Sequence, residues 1–186
     1  MRIALDFDGV LAHTMELWVD EYNRLHPSKK ITIEDIDRWA FFEKESIGLS
    51  YDEAFDIFDF CWRHSELINP NEADQQVKVK RLQKFGKVDI VTSVVKNKEK
   101  IKEWISSHGI VPDDIVFTQE KWKLNYDVYI DDSPSNAEKI RDVGKICLLY
   151  NQDWNRDVKE DAKIIRVYSL GHVIEILNNK IFIPKK

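Results

Sequence analysis

The sequence predicts an α/β fold in which a doubly wound, mostly parallel sheet carries a small all-helical region inserted after its first strand. Short apolar runs rich in Val and Ile recur along the chain, and each later run lies close to a helical pattern, which is the alternation expected of a parallel sheet. The runs at 88–91 and 128–130 are almost continuously apolar, as in strands that are buried on both faces. The predicted strands are residues 2–6, 88–93, 114–118, 127–132, 145–150 and 163–168.

A long interval without any strand pattern is the third observation behind this fold class. Residues 14–85 show only helical patterns and are dense in aromatic side chains. These are Trp18, Tyr22, Trp39, Phe41, Phe42, Tyr51, Phe55, Phe58, Phe60 and Trp62. A structureless loop of that length would be exceptional inside a compact domain, so a helical subdomain is predicted. The predicted domains are therefore a core of residues 1–13 and 86–186 and an inserted helical region of residues 14–85.

Local signals predict where several helices begin and end. Residues 50–53 (Ser-Tyr-Asp-Glu) and 135–138 (Ser-Asn-Ala-Glu) have the spacing of a capping box, in which the serine and the glutamate bind exposed amides at a helix start. Gly109 and Gly144 follow helical patterns at positions where a left-handed residue ends a helix.

Composition and charge limit the classes of function. Of the 186 residues, 43% are hydrophobic and 33% are charged, which is the balance of a globular protein. The net charge of −5 offers no basic surface for a nucleic-acid backbone, so no polynucleotide partner is expected. No stretch approaches the ~20 apolar residues that span a bilayer, and the first apolar run is ended by Asp6, so neither a membrane partner nor a signal peptide is expected. Cys61 and Cys147 are expected to be buried thiols in a reducing cytoplasm, and the basic end, Lys185 and Lys186, is expected to be solvated.

Two pairs of carboxylates close predicted strands. Asp6 and Asp8 stand two residues apart at the end of the first strand, and Gly9 after them permits a sharp turn. Asp131 and Asp132 close a later strand. Ligands of open α/β sheets bind at the carboxyl ends of the strands, so the two pairs are predicted to meet at that edge. Grouped carboxylates require a positive charge between them, and Mg²⁺, which prefers oxygen ligands and binds substrate phosphate, is the predicted cofactor.

Hydroxyl and amino groups lie between the two acidic pairs. Thr92 and Ser93 end another strand and can donate to a phosphoryl oxygen. Lys121, ten residues before Asp131, carries a charge that neutralises phosphate; Lys123 competes for this role, and the spacing favours Lys121. Each element alone is weak, because Asp-x-Asp is common in turns and an isolated Lys usually faces solvent. The order and placement of all four elements together indicate a phosphate-handling site.

In this order the elements resemble the four signature motifs of the haloacid dehalogenase-like hydrolases, over about residues 1–13 and 86–150. The resemblance implies a Rossmann-like core and magnesium-dependent phosphoester hydrolysis. It implies that Asp6 is the nucleophile, which becomes transiently phosphorylated, and that Asp8 acts as general acid and then as general base.

The same resemblance implies the ligand sets for phosphate and metal. The implied phosphate ligands are Thr92, with Ser93 beside it, and Lys121. The implied metal ligands are Asp6, Asp132, Asp8 through its backbone carbonyl and, supporting from nearby, Asp131.

Three segments are similar to the 5'(3')-deoxyribonucleotidase family in particular: residues 6–12, Lys121 with residues 130–132, and residues 150–156. This likeness extends over most of the chain and is weakest in the inserted region, which stands where the superfamily carries its cap. It implies a nucleoside monophosphate as substrate. Val94, where proline is expected, and Ser133, where Arg or Asn is commoner, depart from the family pattern and bear on substrate preference.

Aromatic residues of the inserted region are candidates to contact a nucleobase. Trp39 and Phe41 are predicted to face the site, where a base can stack on their rings. His13 is expected to be structural or at the surface rather than bound to phosphate. Three other aromatics at helical spacing are expected to form the core of the inserted region: Phe55, Phe58 and Trp62.

Alternatives to a nucleotidase remain open at this level. The same chemistry serves a phosphatase of sugar phosphates or of another phosphometabolite. A phosphorylatable receiver domain uses similar groups, but it carries adjacent acidic residues at the first strand and a lone phosphoacceptor aspartate at the third, which is not the order found here. An inactive binding protein has no support, since every catalytic position is filled. The sequence leaves the base, the sugar and the oligomeric state open.

Overall fold

The computed structural model describes residues 1–179, so the expectation for Lys185 and Lys186 lies outside the described residues. Within them the chain forms six strands and six α-helices, together with short 3-10 turns. The strands are β1 (Arg2–Leu5), β2 (Lys87–Thr92), β3 (Asp114–Phe117), β4 (Val128–Asp131), β5 (Ile146–Tyr150) and β6 (Ile164–Val167). The helices are α1 (Thr14–Leu25), α2 (Tyr51–Arg63), α3 (Gln75–Leu82), α4 (Lys98–Ser107), α5 (Pro134–Asp142) and α6 (Leu170–Asn178).

The six strands form one sheet in the order β3-β2-β1-β4-β5-β6, and every neighbouring pair is parallel. This is the doubly wound α/β arrangement, and the predicted fold class is confirmed. The order reverses between β1 and β4, where Leu5 pairs in register with Ile130. The two acidic pairs of the sequence follow these two adjacent strands.

Both faces of the sheet are covered by apolar side chains. Along β1, Ile3 and Leu5 pack into the core on one face, whereas Ala4 points to the other face, where Ala137 and Ile140 of α5 cover it. All five are at most 2% exposed, and full burial of an Ile or Leu side chain contributes about 1.5–3 kcal/mol. Strands buried on both faces explain the almost continuous apolar runs.

The region inserted after β1 is helical in its described part. Helices α1 and α2 pack on each other, and the indole of the fully buried Trp18 donates to the carbonyl of Ala54 at 3.1 Å. Helix α3, by contrast, packs against α6. The extent predicted for the inserted region, residues 14–85, stays a prediction, and we propose that α3 belongs with the core.

Three of the four local signals agree with the structure. At the start of α2 the Ser50 hydroxyl accepts from the amide of Glu53 at 3.3 Å, and the Glu53 carboxylate accepts from the amide of Ser50 at 2.8 Å. Gly109 and Gly144 follow α4 and α5 with φ of +66° and +82°. These glycines end their helices in the left-handed conformation that the sequence predicted.

The capping box predicted at residues 135–138 is wrong. Helix α5 begins at Pro134, and its N-cap is Ser133, whose hydroxyl accepts from the amide of Asn136 at 3.3 Å. A proline at the first helical position has the φ that a helix needs and no amide to satisfy there. The helix therefore starts two residues earlier than the Ser-x-x-Glu spacing indicated.

Both cysteines, Cys61 and Cys147, are free and fully buried, as the sequence predicted. Among the described residues, no helix has the length and the apolar character that a membrane span requires.

Candidate active site

The carboxyl ends of β1 and β4 bring three predicted site residues together. The amide of Asp6 donates to the carbonyl oxygen of Ile130 at 2.9 Å, so Asp6 lies beside the acidic pair Asp131 and Asp132. One carboxylate oxygen from each of the three aspartates lies within 4.8 Å of the others, and all three residues are buried. This is the switch point of the sheet, where open α/β folds bind ligands.

Lys121 is the cation at the centre of this group. It begins the 3-10 turn Lys121–Lys123, and its side chain is 2% exposed. The Nζ atom lies 2.6 Å from Oδ2 of Asp6 and 2.9 Å from Oδ2 of Asp131. Burial lowers the pKa of Lys121, but the charges of Asp131 and Asp6 outweigh it and hold the pKa above its ordinary value. The ammonium therefore remains charged at neutral pH.

Asp6 is held by two donors. Its Oδ1 accepts from the amide of Phe7 at 2.7 Å, while its Oδ2 faces Lys121. Burial raises the pKa of Asp6 well above its usual range, and the Lys121 ammonium acts in the opposite direction. The Lys121 ammonium therefore compensates the charge of the buried Asp6 carboxylate.

Asp132 is fixed by residues that follow β5. Its Oδ2 accepts from the indole of Trp154 at 2.8 Å, and its backbone carbonyl accepts from the side-chain amide of Asn155 at 2.8 Å. Burial, followed by the charge of Asp131, raises the pKa of Asp132 to about 8. Gly9 has φ of +70°, and a Cβ atom there would lie 2.1 Å from Oδ2 of Asp132. The loop after β1 therefore passes Asp132 at a distance that only glycine permits.

Asp8 lies beside this cluster on the cavity wall. Its Oδ1 accepts from the Thr14 hydroxyl at 2.5 Å and from the indole of Trp62 at 3.1 Å. Burial raises the pKa of Asp8, and these two hydrogen bonds lower it in part. The side chain from α2, Trp62, thereby contacts a carboxylate of the loop after β1.

The donor set fits a hard divalent cation. Three buried carboxylates face one ammonium, and oxygen ligands are what Mg²⁺ prefers. Both oxygens of Asp131 already accept hydrogen bonds, from Lys121, from the amide of Ser133 and from the Asn136 side chain. Within the described part of the chain, Oδ1 of Asp132 accepts none. The geometry therefore suits Asp132 as a direct ligand and Asp131 as a supporting group.

The two hydroxyls after β2 differ in placement. Thr92 is fully buried, and its hydroxyl oxygen accepts from the amide of Val94 at 3.1 Å. Ser93 and Val94, rather than Thr92, line the cavity. Ser93, one residue beyond the end of β2, therefore reaches the cavity surface, whereas Thr92, the last residue of the strand, does not.

Two further candidates from the sequence lie away from the cluster. The side chain of Lys123 is 62% exposed and pairs with Glu120 at 2.6 Å, so Lys121 is the lysine of the site. His13 pairs through Nδ1 with Glu16 at 3.0 Å and is not among the residues lining the cavity.

A cavity of about 370 Å³ opens above the acidic cluster. Its floor includes Asp6, Asp132 and Lys121. Aromatic side chains form much of its wall: Trp39, Phe41, Phe42, Tyr51, Phe55, Phe58, Trp62 and Trp154. The cavity therefore joins a charged floor to an apolar, aromatic wall, as ligand sites commonly do.

Trp39 and Phe41 both reach this cavity, with different exposure. Trp39 is 48% exposed and lines the cavity. Phe41 is 3% exposed, and its ring packs edge-on against Trp18 with centroids 4.8 Å apart. Trp39 is therefore the more accessible of the two rings.

Three aromatics of α2 that are expected to form the core of the inserted region also reach the cavity, and two of them, Phe58 and Trp62, pack against the core. Phe55, Phe58 and Trp62 all line the cavity. The rings of Phe58 and Trp62 are stacked with centroids 5.7 Å apart, and Phe55 stacks on Tyr51 at 4.2 Å. Residues at this spacing share one helix face, and that face lies between the core and the cavity.

Several site residues were not predicted from the sequence to act at the site: Thr14, Trp62, Asn136, Trp154 and Asn155. Each acts by hydrogen bonding an aspartate of the cluster rather than by standing beside it in the sequence. The segment 150–156 was noted for its resemblance, which is the one signal that pointed to Trp154 and Asn155.

Comparisons with known proteins include a family model that matches nearly the whole chain. The family model described as 5' nucleotidase, deoxy (pyrimidine), cytosolic type C protein matches residues 1–181. A curated protein of Chlorobaculum tepidum named "Putative 5'(3')-deoxyribonucleotidase" is 37% identical over 57 residues, which are 31% of this chain and 28% of that protein. The match thus spans less than a third of that relative's length.

Solved structures share the fold at low sequence identity. A haloacid dehalogenase-like family protein of Streptococcus pneumoniae superposes with a TM-score of 0.66 at 15% identity, covering 95% of this chain and 97% of the other. A haloacid dehalogenase-like protein of unknown function from Agrobacterium tumefaciens gives 0.65 at 13% identity, covering 96% and 97%. These structures support the architecture alone.

Proposed function

Because this chain belongs to the family described as 5' nucleotidase, deoxy (pyrimidine), cytosolic type C protein, we propose that it hydrolyses small phosphate monoesters, with nucleoside monophosphates as the preferred class. The observation that carries the proposal is the buried Lys121 ammonium, which bridges Asp6 and Asp131 on the floor of an aromatic-walled cavity. A phosphate group matches the floor, and a flat apolar base matches the wall.

Asp6 is the proposed nucleophile. A carboxylate oxygen of Asp6 forms a bond to phosphorus while the bond between phosphorus and the ester oxygen breaks, which leaves an aspartyl phosphate. The amide of Phe7 and the ammonium of Lys121 hold the carboxylate in place. Lys121 also neutralises part of the charge on the entering phosphate.

Asp8 is the proposed general acid and base. It gives a proton to the departing alkoxide and then takes one from the water that attacks phosphorus, which restores Asp6. Its Oδ1 is held by Thr14 and Trp62, so Oδ2 is the oxygen that exchanges protons. A pKa raised by burial suits a carboxyl group that must carry a proton.

Asp6, Asp132 and the backbone carbonyl of Asp8 are the proposed Mg²⁺ ligands, with Asp131 as a support. When bound, the metal offsets the repulsion between the anionic phosphate and the carboxylates. Burial, followed by the charge of Asp131, raises the pKa of Asp132 to about 8, and a bound cation would act in the opposite direction. Ser93, on the cavity wall, and Thr92, whose hydroxyl accepts from the amide of Val94 and keeps its own proton to donate, complete the proposed phosphate ligands.

The aromatic wall is the proposed site for the leaving group. Base-aromatic stacking contributes about 1–3 kcal/mol per base. It tolerates any base, because every base has a π-face. Trp39 presents the most exposed ring among the predicted base contacts, and the α2 aromatics Phe55 and Phe58 extend the surface.

A substrate panel tests the proposal. Released phosphate is measured from 5' and 3' nucleoside and deoxynucleoside monophosphates and from sugar phosphates, with Mg²⁺ or with EDTA. Asp6→Asn is compared with Asp20→Asn, which changes an exposed aspartate of α1. Mg²⁺-dependent release from deoxynucleotides that is lost only in D6N is expected. Release from sugar phosphates alone would keep the chemistry and discard the nucleotide, and no release from any compound would overturn the proposal.

A further inference from the structure

The segment that follows β5, residues 151–158, holds the acidic cluster from one side, and we call it the clamp loop. Trp154 donates its indole N–H to Oδ2 of Asp132 at 2.8 Å. Asn155 donates from Nδ2 to the backbone carbonyl of Asp132 at 2.8 Å and to that of Tyr150 at 2.8 Å. The clamp loop thus fixes both the side chain and the main chain of Asp132.

The clamp loop also reaches the loop after β1. Gln152 donates from Nε2 to the carbonyl of Gly9 at 2.6 Å. A Cβ atom at Gly9 would meet both Asp132, at 2.1 Å, and the Trp154 ring, at 3.1 Å. One loop therefore sets the distance between the two segments that carry the acidic pairs.

Arg166 of β6 holds the clamp loop through hydrogen bonds. Its side chain is 9% exposed, yet all five hydrogen bonds that its guanidinium donates end on oxygen atoms of the clamp loop. The acceptors are the side-chain oxygens of Asn151 and Asn155 and the backbone carbonyls of Asn155, Arg156 and Val158, at 2.7–3.5 Å. A buried guanidinium satisfied by loop oxygens ties that loop to the sheet.

Arg166 also stabilises the orientation of the Asn155 side-chain amide. A guanidinium has only donors, so it requires the amide oxygen, and Oδ1 of Asn155 accepts from it at 2.7 Å. The amide nitrogen must then face away, toward the carbonyls of Asp132 and Tyr150. The backbone amide of Gln152 donates to the same oxygen at 3.2 Å, so two donors favour this orientation. Loss of Arg166 would remove the shorter of the two hydrogen bonds and leave the clamp-loop oxygens that it binds without their donor, which would weaken the hold on Asp132.

We infer that Arg166 is a positioning residue for the metal site: through Asn155 and the clamp loop it holds Asp132 in the orientation that binds Mg²⁺. The inference rests on the proposed function, because only that proposal makes Asp132 a Mg²⁺ ligand. Arg166 itself contacts neither metal nor substrate. Outer partners of metal ligands of this kind typically contribute ten- to hundred-fold in metal affinity or activity.

The test compares Arg166→Met with Arg156→Met. Arg156 is a matched control because it lies in the clamp loop and its exposed guanidinium donates to Asp153. Mg²⁺ binding to substrate-free protein is measured by calorimetry at a temperature where each variant is folded. We expect R166M to raise the Mg²⁺ Kd about ten- to hundred-fold and R156M to leave it unchanged. Trp154→Phe is combined with R166M, and because both act through one loop their effects should be less than additive.

A metal-free measurement accompanies it. Backbone hydrogen exchange in R166M should accelerate in residues 131–134 and in the clamp loop, while β2 and β3 keep wild-type rates. Unchanged Mg²⁺ affinity, or acceleration that is uniform across the sheet or confined to β6, would overturn the inference. If R166M does not fold, Arg166→Lys takes its place, since it keeps the charge but replaces the planar five-donor guanidinium with a single nitrogen that cannot make all five hydrogen bonds. If the wild type neither binds Mg²⁺ nor releases phosphate, the proposed function fails. The hydrogen-exchange comparison between R166M and wild type then tests by itself whether Arg166 positions Asp132.

Discussion

Replacement of Lys121 by methionine removes an ammonium that touches two carboxylates of the cluster. Nζ lies 2.6 Å from Asp6 and 2.9 Å from Asp131, and the side chain is 2% exposed. Removing one partner of a buried ion pair leaves an uncompensated buried charge and costs about 3–5 kcal/mol. In a domain of this size, each kcal/mol shifts the Tm by about 2–4 °C, so K121M should lower the Tm by roughly 6–20 °C in EDTA.

Lys123→Met is the matched control for this prediction. Lys123 belongs to the same 3-10 turn, but its side chain is 62% exposed and pairs with Glu120 at the surface. Such pairs contribute about 0–1 kcal/mol, so K123M should unfold close to the wild type. Thermal and urea unfolding, followed by circular dichroism at neutral pH, measures both variants. A K121M protein as stable as K123M would refute the reasoning that Lys121 compensates buried charge.

Three further changes test other parts of the structure. Gly9→Ala places a Cβ atom 2.1 Å from Oδ2 of Asp132 at φ of +70°, so calorimetry should find Mg²⁺ affinity reduced at least about tenfold, as for outer partners of metal ligands; unchanged affinity would contradict the close approach. Phe58→Ala removes a ring from the cavity wall and should raise KM for nucleoside monophosphates about tenfold, the equivalent of 1.4 kcal/mol, with little change in KM for ribose 5-phosphate; equal changes for both substrates would argue against stacking. Hydrogen bonds from the Ser50 side chain and backbone lower the pKa of Glu53 below its ordinary 4.5, so the carboxylate contributes stability above pH 4.5 and loses it as the pH falls through the lower folded-state pKa. The difference in Tm between wild type and Glu53→Gln should therefore shrink on acidification, and a constant difference would contradict this prediction.

The parts of the fold that could be predicted from the sequence are those with a local cause. The strands appeared as short apolar runs because most of their side chains are buried, the edge strand β3 being only partly buried, and the two acidic pairs stand at the ends of β1 and β4. Ser133 shows the limit of this approach: it and Ser135 both offer a hydroxyl near the helix start, and Pro134 decides between them because its fixed φ and missing amide suit the first helical position.

The remainder of the site depends on tertiary packing. Trp62 contacts Asp8 only because α2 turns one face toward the loop after β1, and the spacing of aromatics along a helix is the same for a core face and a cavity face. Arg166 lies on the last strand and acts through hydrogen bonds to a loop, which no residue pattern predicts. Thr92 and Ser93 are neighbours in the sequence, yet the end of β2 directs them differently.

The proposed nucleophile can be observed directly in Asp8→Asn. With p-nitrophenyl phosphate, whose leaving group requires no proton, this variant should transfer the phosphoryl group to Asp6 but should fail to activate the water that removes it. Acid quenching in the presence of Mg²⁺, followed by peptide mass spectrometry, should find one phosphoryl group on the peptide that carries Asp6, and Asp6→Asn should show none. Phosphate release without a labelled Asp6, or a phosphoryl group on another residue, would contradict the proposed mechanism.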